Sequence, residues 1–319
     1  MNKNNKATHN RTITISKNEI KKYSKEFIVL NRKVNPEKIT NKIIHQDIFE
    51  AIKYLPENFV DLLFIDPPYN LTKTFNTNKF NKRSIKKYSE WLENLILNIK
   101  SILKPEASIY VCGDWLTSTS IHLVLNKYFT VRNRITWERE KGRGAKKNWK
   151  NSSEDIWFAT NSKDYYFDVD SVKLKRKVLA PYKVNGKPKD WHEKETGKFR
   201  LTYPSNIWTD LTVPFWSMQE NTEHPTQKPE KLLAKIILAS STQSNTVFDP
   251  FLGSGTSAVV AKKLNRKFVG VELDEKFAAI SLKRLEAVND NKNIQGYSEG
   301  IFWERNSYNY QKKKTNKND

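Results

Sequence analysis

Residues 248–258 read FDPFLGSGTSA. A short apolar run ends on Asp249, two glycines follow, and residues 257–264 then take up helical spacing. Gly253 and Gly255 give a tight turn between a strand and a helix, a turn whose backbone lets a ligand approach closely. In an open α/β sheet the ligand sits beyond the carboxyl ends of the strands, so this stretch predicts both the fold and the place of the site.

Working outward, short apolar runs alternate with helix-like segments. Strands are predicted at 42–47, 60–66, 107–114, 132–139, 154–160, 246–250 and 267–273, and helices after 47, over 88–103, up to 125, after Pro229, over 257–264 and over 275–288. That alternation predicts an α/β domain with a mainly parallel, doubly wound sheet. Residues 161–222 break the rhythm with charges, prolines and tryptophans, as an inserted module would. Residues 1–40 are polar and lysine-rich and are expected to form a loosely structured basic arm. The end of the chain, from Gln311, looks like a disordered basic tail.

The chain has 319 residues, 56 Lys and Arg against 35 Asp and Glu, and a net charge of +21. Such an excess implies an anionic partner, with nucleic acid first, and nine Trp and thirteen Tyr supply stacking surfaces beside the cations. The single cysteine, Cys112, allows no internal disulfide. No apolar run approaches the ~20 residues of a membrane helix. The N-terminus has no apolar signal-peptide core. A cytoplasmic, prokaryotic setting is expected. The five histidines never pair at metal-ligand spacing, and no metal is expected.

Four predicted strands end on an acid: Asp47, Asp66, Asp249 and Glu272. Together they would form an acidic crevice in a basic protein, suited to a cationic or amine-bearing ligand. Glu272, at the end of the strand after Asp249, is placed to accept hydrogen bonds from ribose hydroxyls. GSGTSA also fits the GxGxxG/A dinucleotide pattern, so a nicotinamide-dependent oxidoreductase competes here. A pyrophosphate, however, would meet the unwanted Asp249 carboxylate. S-adenosylmethionine (AdoMet) carries an ammonium, a sulfonium and a ribose and no phosphate, and it suits Asp249 and Glu272 better.

Residues 62–70 read LLFIDPPYN. Pro67 and Pro68 fix φ and remove two N–H donors, which leaves carbonyls free to accept in a rigid turn. Asp66 adds a carboxylate and Tyr69 a flat ring. Acceptors converging beside an aromatic face would grip a planar amine.

In these motifs the chain resembles the DNA amino-methyltransferases of restriction–modification systems. The matching residues are DPPYN (66–70) and DPFLGSGT (249–256), supported by HQD (45–47), VGVELD (269–274), HPTQKP (224–229) and KGRGAKKNWKNSSEDIWF (141–158). DPPY precedes the glycine loop, the permuted order of the family's beta group on a Rossmann-like AdoMet-dependent fold. The resemblance covers residues 41–160 and 223–290 as the catalytic and AdoMet-binding domain. It makes 161–222 the target-recognition insertion, with 1–40 as the basic N-terminal arm and 291–319 as a C-terminal extension.

The resemblance further implies a set of roles. Asp249, Phe251, Gly253, Gly255 and Thr256 would wrap the methionine part of AdoMet, Glu272 its ribose, and Asp47 its adenine. His224, Thr226 and Lys228, in the turn closed by Pro229, would complete the pocket. Asp66, Pro67, Pro68 and Tyr69 would form the catalytic turn. The expected reaction is methyl transfer to adenine N6 in double-stranded DNA, with the base flipped out and Tyr69 stacked on it. DPPY goes with adenine in this family. Cytosine N4 is the alternative, and cytosine-C5 chemistry is not indicated because Cys112 lies in YVCGD without the usual preceding proline. Arg143, Lys146, Lys147 and Trp149 are candidate DNA contacts, with 173–177 and Trp191 in the insertion. A cognate restriction endonuclease and a homodimer are possible partners, and no membrane is. A non-catalytic DNA-binding protein is the remaining rival, and it would have no need of the four strand-end acids.

Overall fold

The predicted apolar runs become buried strands of one sheet in the computed structural model, which describes residues 8–75, 78–139, 146–178, 183–188, 191–194 and 197–305. In chain order the strands are β1 (Lys42–His45), β2 (Val60–Ile65), β3 (Lys73–Phe75), β4 (Asn78–Phe80), β5 (Leu103–Gly113), β6 (Thr130–Glu138), β7 (Ser153–Thr160), β8 (Leu174–Lys177), β9 (Lys183–Val184), β10 (Lys187–Pro188), β11 (His192–Lys194), β12 (Gly197–Thr202), β13 (Ile207–Trp208), β14 (Thr246–Asp249), β15 (Lys267–Glu272), β16 (Tyr297–Ser298) and β17 (Ile301–Trp303). The helices are α1 (Lys17–Tyr23), α2 (Pro36–Ile39), α3 (Ile48–Ala51), α4 (Ile85–Lys100), α5 (Ser118–Tyr128), α6 (Glu230–Ser240), α7 (Thr256–Lys263) and α8 (Glu275–Ala287).

The central sheet has the order β1-β15-β14-β2-β5-β7-β6-β13. It is parallel except for β7, which runs antiparallel to both β5 and β6. Helices cover both faces, which is why the successive residues Leu62–Ile65 of β2 and Val247–Phe248 of β14 are all apolar and buried. Alternate residues of β2 divide between the two cores. Leu62 and Phe64 pack with α6 and α7, while Leu63 and Ile65 pack with α4 and α5. Ser84 caps α4 through the Lys87 N–H, and its buried residues Tyr88, Leu92, Leu95, Ile96 and Ile99 recur at helical spacing.

The N-terminal arm differs from expectation. Ser16 and Glu19 form a reciprocal cap on α1, which lies against α8, where Lys283 bonds both Glu19 and the Thr14 carbonyl. Residues 11–15 bond to the backbone of Trp216 and Asn221 and to the Glu223 side chain, just ahead of His224. Polar composition hid this order because hydrogen bonds and charge hold residues 11–19, and the buried apolar anchors Tyr23, Leu30 and Ile39 are too few and too widely spaced to make a pattern.

The insertion and the C-terminal extension share a second sheet, in the order β11-β12-β8-β17-β16, with β17 parallel to β8. The insertion also returns to the central sheet through β13, and Asp210 behind it is gripped by Lys231 and Lys235 of α6, each at 2.8 Å. The basic tail from Gln311 lies outside the described residues. No helix among the described residues is long and apolar enough to cross a membrane.

Candidate active site

β1, β15, β14 and β2 are consecutive and parallel, so Asp47, Glu272, Asp249 and Asp66 lie in that order along one sheet edge. The glycine loop folds over this edge. Gly253 and Gly255 have φ of +55° and +80°, a region that side chains disfavour. A Cβ on Gly255 would meet Ser281 Cβ at 2.7 Å, and one on Gly253 would meet His224 Nε2 at 3.0 Å. Asp249 holds the loop by accepting the Phe251 N–H at 3.0 Å and the Ser257 hydroxyl at 2.5 Å. Glu272 accepts the N–H groups of Gly253 at 2.7 Å and Asp274 at 2.8 Å. Burial pushes both acids up to about 7, against hydrogen bonds that favour their charged forms.

A crevice joins this loop to the DPPY turn. Its walls include Asp66, His224, Thr226, Lys228, Asp249, Phe251, Gly253 and Thr256. Asp47 and Glu272 are not on those walls. Asp47 caps α3, accepting the Phe49 N–H at 2.8 Å, and Glu272 accepts one backbone N–H at each carboxylate oxygen. The His224 ring stands edge-on to Phe277, with centroids 4.3 Å apart.

In the DPPY turn, Tyr88 donates its hydroxyl to the Pro68 carbonyl at 3.2 Å. Asn70 closes the loop onto Arg83 with two bonds of 2.8 and 2.7 Å. The Pro67 carbonyl accepts no hydrogen bond from any described residue. Of the two proline carbonyls, Pro67's is therefore the one left to accept from a ligand.

Lys228 stands against the turn and not over the glycine loop. Its Nζ lies 2.6 Å from Asp66 Oδ2, 3.4 Å from Glu154 Oε2 and 3.3 Å from the Tyr69 hydroxyl. Tyr69 donates to Glu154 at 3.0 Å, and Arg139 pairs with the other Glu154 oxygen. Burial pushes Asp66 up, Lys228 pulls it down, and Glu154 pushes it up again, with a net upward shift. Burial works against the Lys228 ammonium, but Asp66 and Glu154 outweigh it and raise its pKa. Burial also pushes the Cys112 thiol well up, which keeps it protonated and unreactive.

Glu154 and Arg139 were not among the site residues read from sequence. The strand-end rule looks at where parallel strands finish, and Glu154 is near the start of antiparallel β7, which begins on the same edge. A charged pair opening an otherwise apolar strand, EDIWFAT, was the available signal.

Of the DNA-contact candidates, Lys146 and Lys147 are exposed and Trp149 is 94% exposed, on the segment leading into β7. Arg143 lies outside the described residues. Trp191, a candidate DNA contact in the insertion, is only 4% exposed with Lys198 across its ring, which leaves it little surface to offer a duplex. Among the described residues no group of three or more His, Cys, Asp or Glu could hold a metal ion.

A family model described as DNA methylase, of the N6/N4 type, matches residues 60–283. The chain is 34% identical over 254 residues to the DNA adenine methyltransferase YhdJ of Escherichia coli (strain K12), covering 77% of this chain and 83% of that protein. It is 31% identical over 268 residues to the type II methyltransferase M.BglII of Bacillus subtilis, covering 81% and 72%. Among solved structures, the PvuII DNA methyltransferase (cytosine-N4-specific) matches at TM-score 0.58 with 17% identity, covering 83% of this chain and 92% of that one. The M1.HpyAVI–SAM complex matches at 0.50 with 24% identity, covering 76% and 98%. These two likenesses carry the fold alone. The curated relatives and the family match carry more: the chain belongs to the N6/N4 DNA methylases.

Proposed function

We propose that this protein is an AdoMet-dependent DNA methyltransferase that methylates the exocyclic amino group of adenine, at N6, in duplex DNA, as the modification enzyme of a restriction–modification system. The observation that carries the reading is Asp66 on the wall of a crevice shared with the glycine loop, followed in the chain by a Pro67 carbonyl that no described residue hydrogen-bonds. YhdJ is named an adenine methyltransferase, which supports N6 over N4.

The residues present fit AdoMet. A Cβ would clash at Gly255 and crowd the His224 ring at Gly253, and the buried Asp249 beside the loop suits a cation. When bound, AdoMet supplies an electrophilic methyl on a sulfonium. Asp249, Phe251, Gly253 and Thr256 would hold it, with His224 and Thr226 on the facing wall. Glu272 also fixes the loop and would hold the ribose, and Asp47, just past the neighbouring strand at the start of α3, would meet the adenine.

An adenine amine is a weak nucleophile because its lone pair is delocalised into the ring. Asp66 and the Pro67 carbonyl accept its two hydrogens and draw the nitrogen toward tetrahedral geometry, so that the lone pair becomes available. Pre-positioning in the crevice supplies much of the remaining acceleration. A proton then leaves to Asp66 or water. The amine of a stacked pair cannot reach this turn, so the base must leave the helix, and Tyr69 offers the face it would meet. Lys146, Lys147 and Trp149 lie on the segment before β7 and are placed to meet the backbone.

Incubation with methyl-labelled AdoMet and unmodified DNA, followed by digestion to nucleosides, tests the reading. Label on adenine N6 is expected. Label on cytosine N4 keeps the mechanism and overturns the base, and AdoMet binding without DNA labelling overturns the substrate. The cognate endonuclease and a homodimer belong to the same proposal, and light scattering of the pure protein tests the dimer.

A further inference from the structure

Lys228 is 7% exposed at its side chain and is fixed by three partners: the Asp66 carboxylate, the Glu154 carboxylate and the Tyr69 hydroxyl. It engages Asp66 through Oδ2 alone. Lys228 does not bond Oδ1, and the Tyr69 hydroxyl is a second neighbour that favours the Asp66 carboxylate. We propose that Lys228 is a positioning residue for methyl transfer, holding Asp66 ionised and turned so that Oδ1 is left for the target amine, while Glu154 and Arg139 balance its charge. The inference rests on the reading of Asp66 as the amine acceptor.

The resemblance alone would give Lys228 to the cofactor, because it lies in HPTQKP. The geometry points elsewhere. The ammonium is committed to the DPPY turn and the start of β7, and a cationic methyl donor is a poor partner for a fixed cation. The charges facing Asp66 show what Lys228 must do. Glu154 comes from β7 and Asp249 from the end of β14, and each disfavours a charge on Asp66 when it is itself ionised. Lys228 comes from the turn before α6, with Arg139 acting through Glu154. Tyr69 and Cys112 are uncharged neighbours. Without Lys228 the buried Asp66 faces two other carboxylates and takes a proton. A protonated Asp66 cannot accept the proton that the methylated amine must lose, and its carboxyl is free to turn.

Lys228→Met, Lys228→Arg and Glu154→Gln are compared with wild type in single-turnover methyl transfer to duplex DNA at saturating AdoMet, from about pH 6 to pH 9. Lys228→Met is expected to bind AdoMet within about threefold of wild type, to transfer about 100-fold more slowly at pH 7, and to recover as pH rises. Its acid limb then lies above that of wild type. Lys228→Arg should keep the wild-type limb. Glu154→Gln removes a negative neighbour and should move the limb downward, a check that survives if Lys228→Met fails to fold. Superimposable limbs in all four proteins would overturn the proposal. So would a Lys228→Met loss confined to AdoMet affinity. A wild type that labels no DNA overturns the functional reading and this assignment with it, whereas unmoved limbs in an active enzyme overturn this assignment alone.

Discussion

Asp249 accepts the Ser257 hydroxyl at 2.5 Å, with both side chains buried beneath the glycine loop. That bond favours the carboxylate, yet burial wins and leaves Asp249 near 7 in the folded protein, with Glu272 also near 7 and Glu220 near 8. An acid raised above its ordinary value holds its proton longer when folded. The stability it contributes is full below the ordinary values of 3.8 and 4.5 and is lost as pH rises through 7 to 8. Glu19 and Asp210, lowered to about 2, act in the opposite sense but only at pH below those ordinary values. The ligand-free protein should therefore melt at progressively lower temperature between about pH 5.5 and pH 8, and Asp249→Asn should flatten the slope. Thermal scans across that range decide it, and a midpoint that rises with pH would refute the assignment.

Asp66 is the group whose loss should separate chemistry from binding. Asp66→Ala removes one of the two acceptors for the amine but none of the loop bonds made by Asp249 and Glu272. Single-turnover transfer should fall by about 10²–10⁴-fold while AdoMet affinity stays within a few-fold. Full transfer by Asp66→Ala would sink the mechanism.

The glycine loop, the DPPY turn and the strands that carry them are legible because their signals are local. DPPYN and FLGSGT each carry their own turn chemistry, and the apolar runs of β2, β14 and β15 mark the strands that present them. What was not legible depends on distant pairing. β17 joins β8 across more than a hundred residues, and strands of two to four residues have no period to read. Glu154 escaped for a related reason, since only the antiparallel direction of β7 brings its start to the ligand edge. Lys228 is a candidate residue read from HPTQKP, but its partner Asp66 is 162 positions away. No spacing within HPTQKP could show that its ammonium faces the DPPY turn.

Gly255 offers a test of the loop alone. It caps α7 in a left-handed conformation, and a Cβ there would lie 2.7 Å from both Ser281 Cβ and Oγ. Gly255→Ala combines a backbone penalty with a clash, and should destabilise by more than about 1 kcal/mol and weaken AdoMet binding. Adding Ser281→Gly removes the Cβ and Oγ contacts but not the φ cost or the 3.0 Å approach to Cα. The double variant should regain part of the stability, as read in urea unfolding. Ser281→Gly alone is the reference, because it loses the hydroxyl's bonds to the Gly253 and Phe277 carbonyls, and no regain relative to it would show that backbone strain, and not the clash, dominates at this position.

Lys146 and Lys147 should report on DNA through salt rather than sequence. They are exposed, and their charges are free to displace condensed counterions if the duplex lies along the segment before β7. Replacing both with Ala should weaken binding to specific and non-specific duplexes alike, and should make the slope of log K against log salt shallower by about 1.8, near 0.9 for each lost contact. Trp149, exposed between cations, makes a different prediction. Trp149→Ala should leave the salt slope unchanged and should cost about 1–3 kcal/mol only if its ring stacks on an exposed base. Titrations of labelled duplex at several salt concentrations separate the two, and an unchanged slope in Lys146→Ala/Lys147→Ala would move the DNA away from this segment and toward the basic strands of the second sheet.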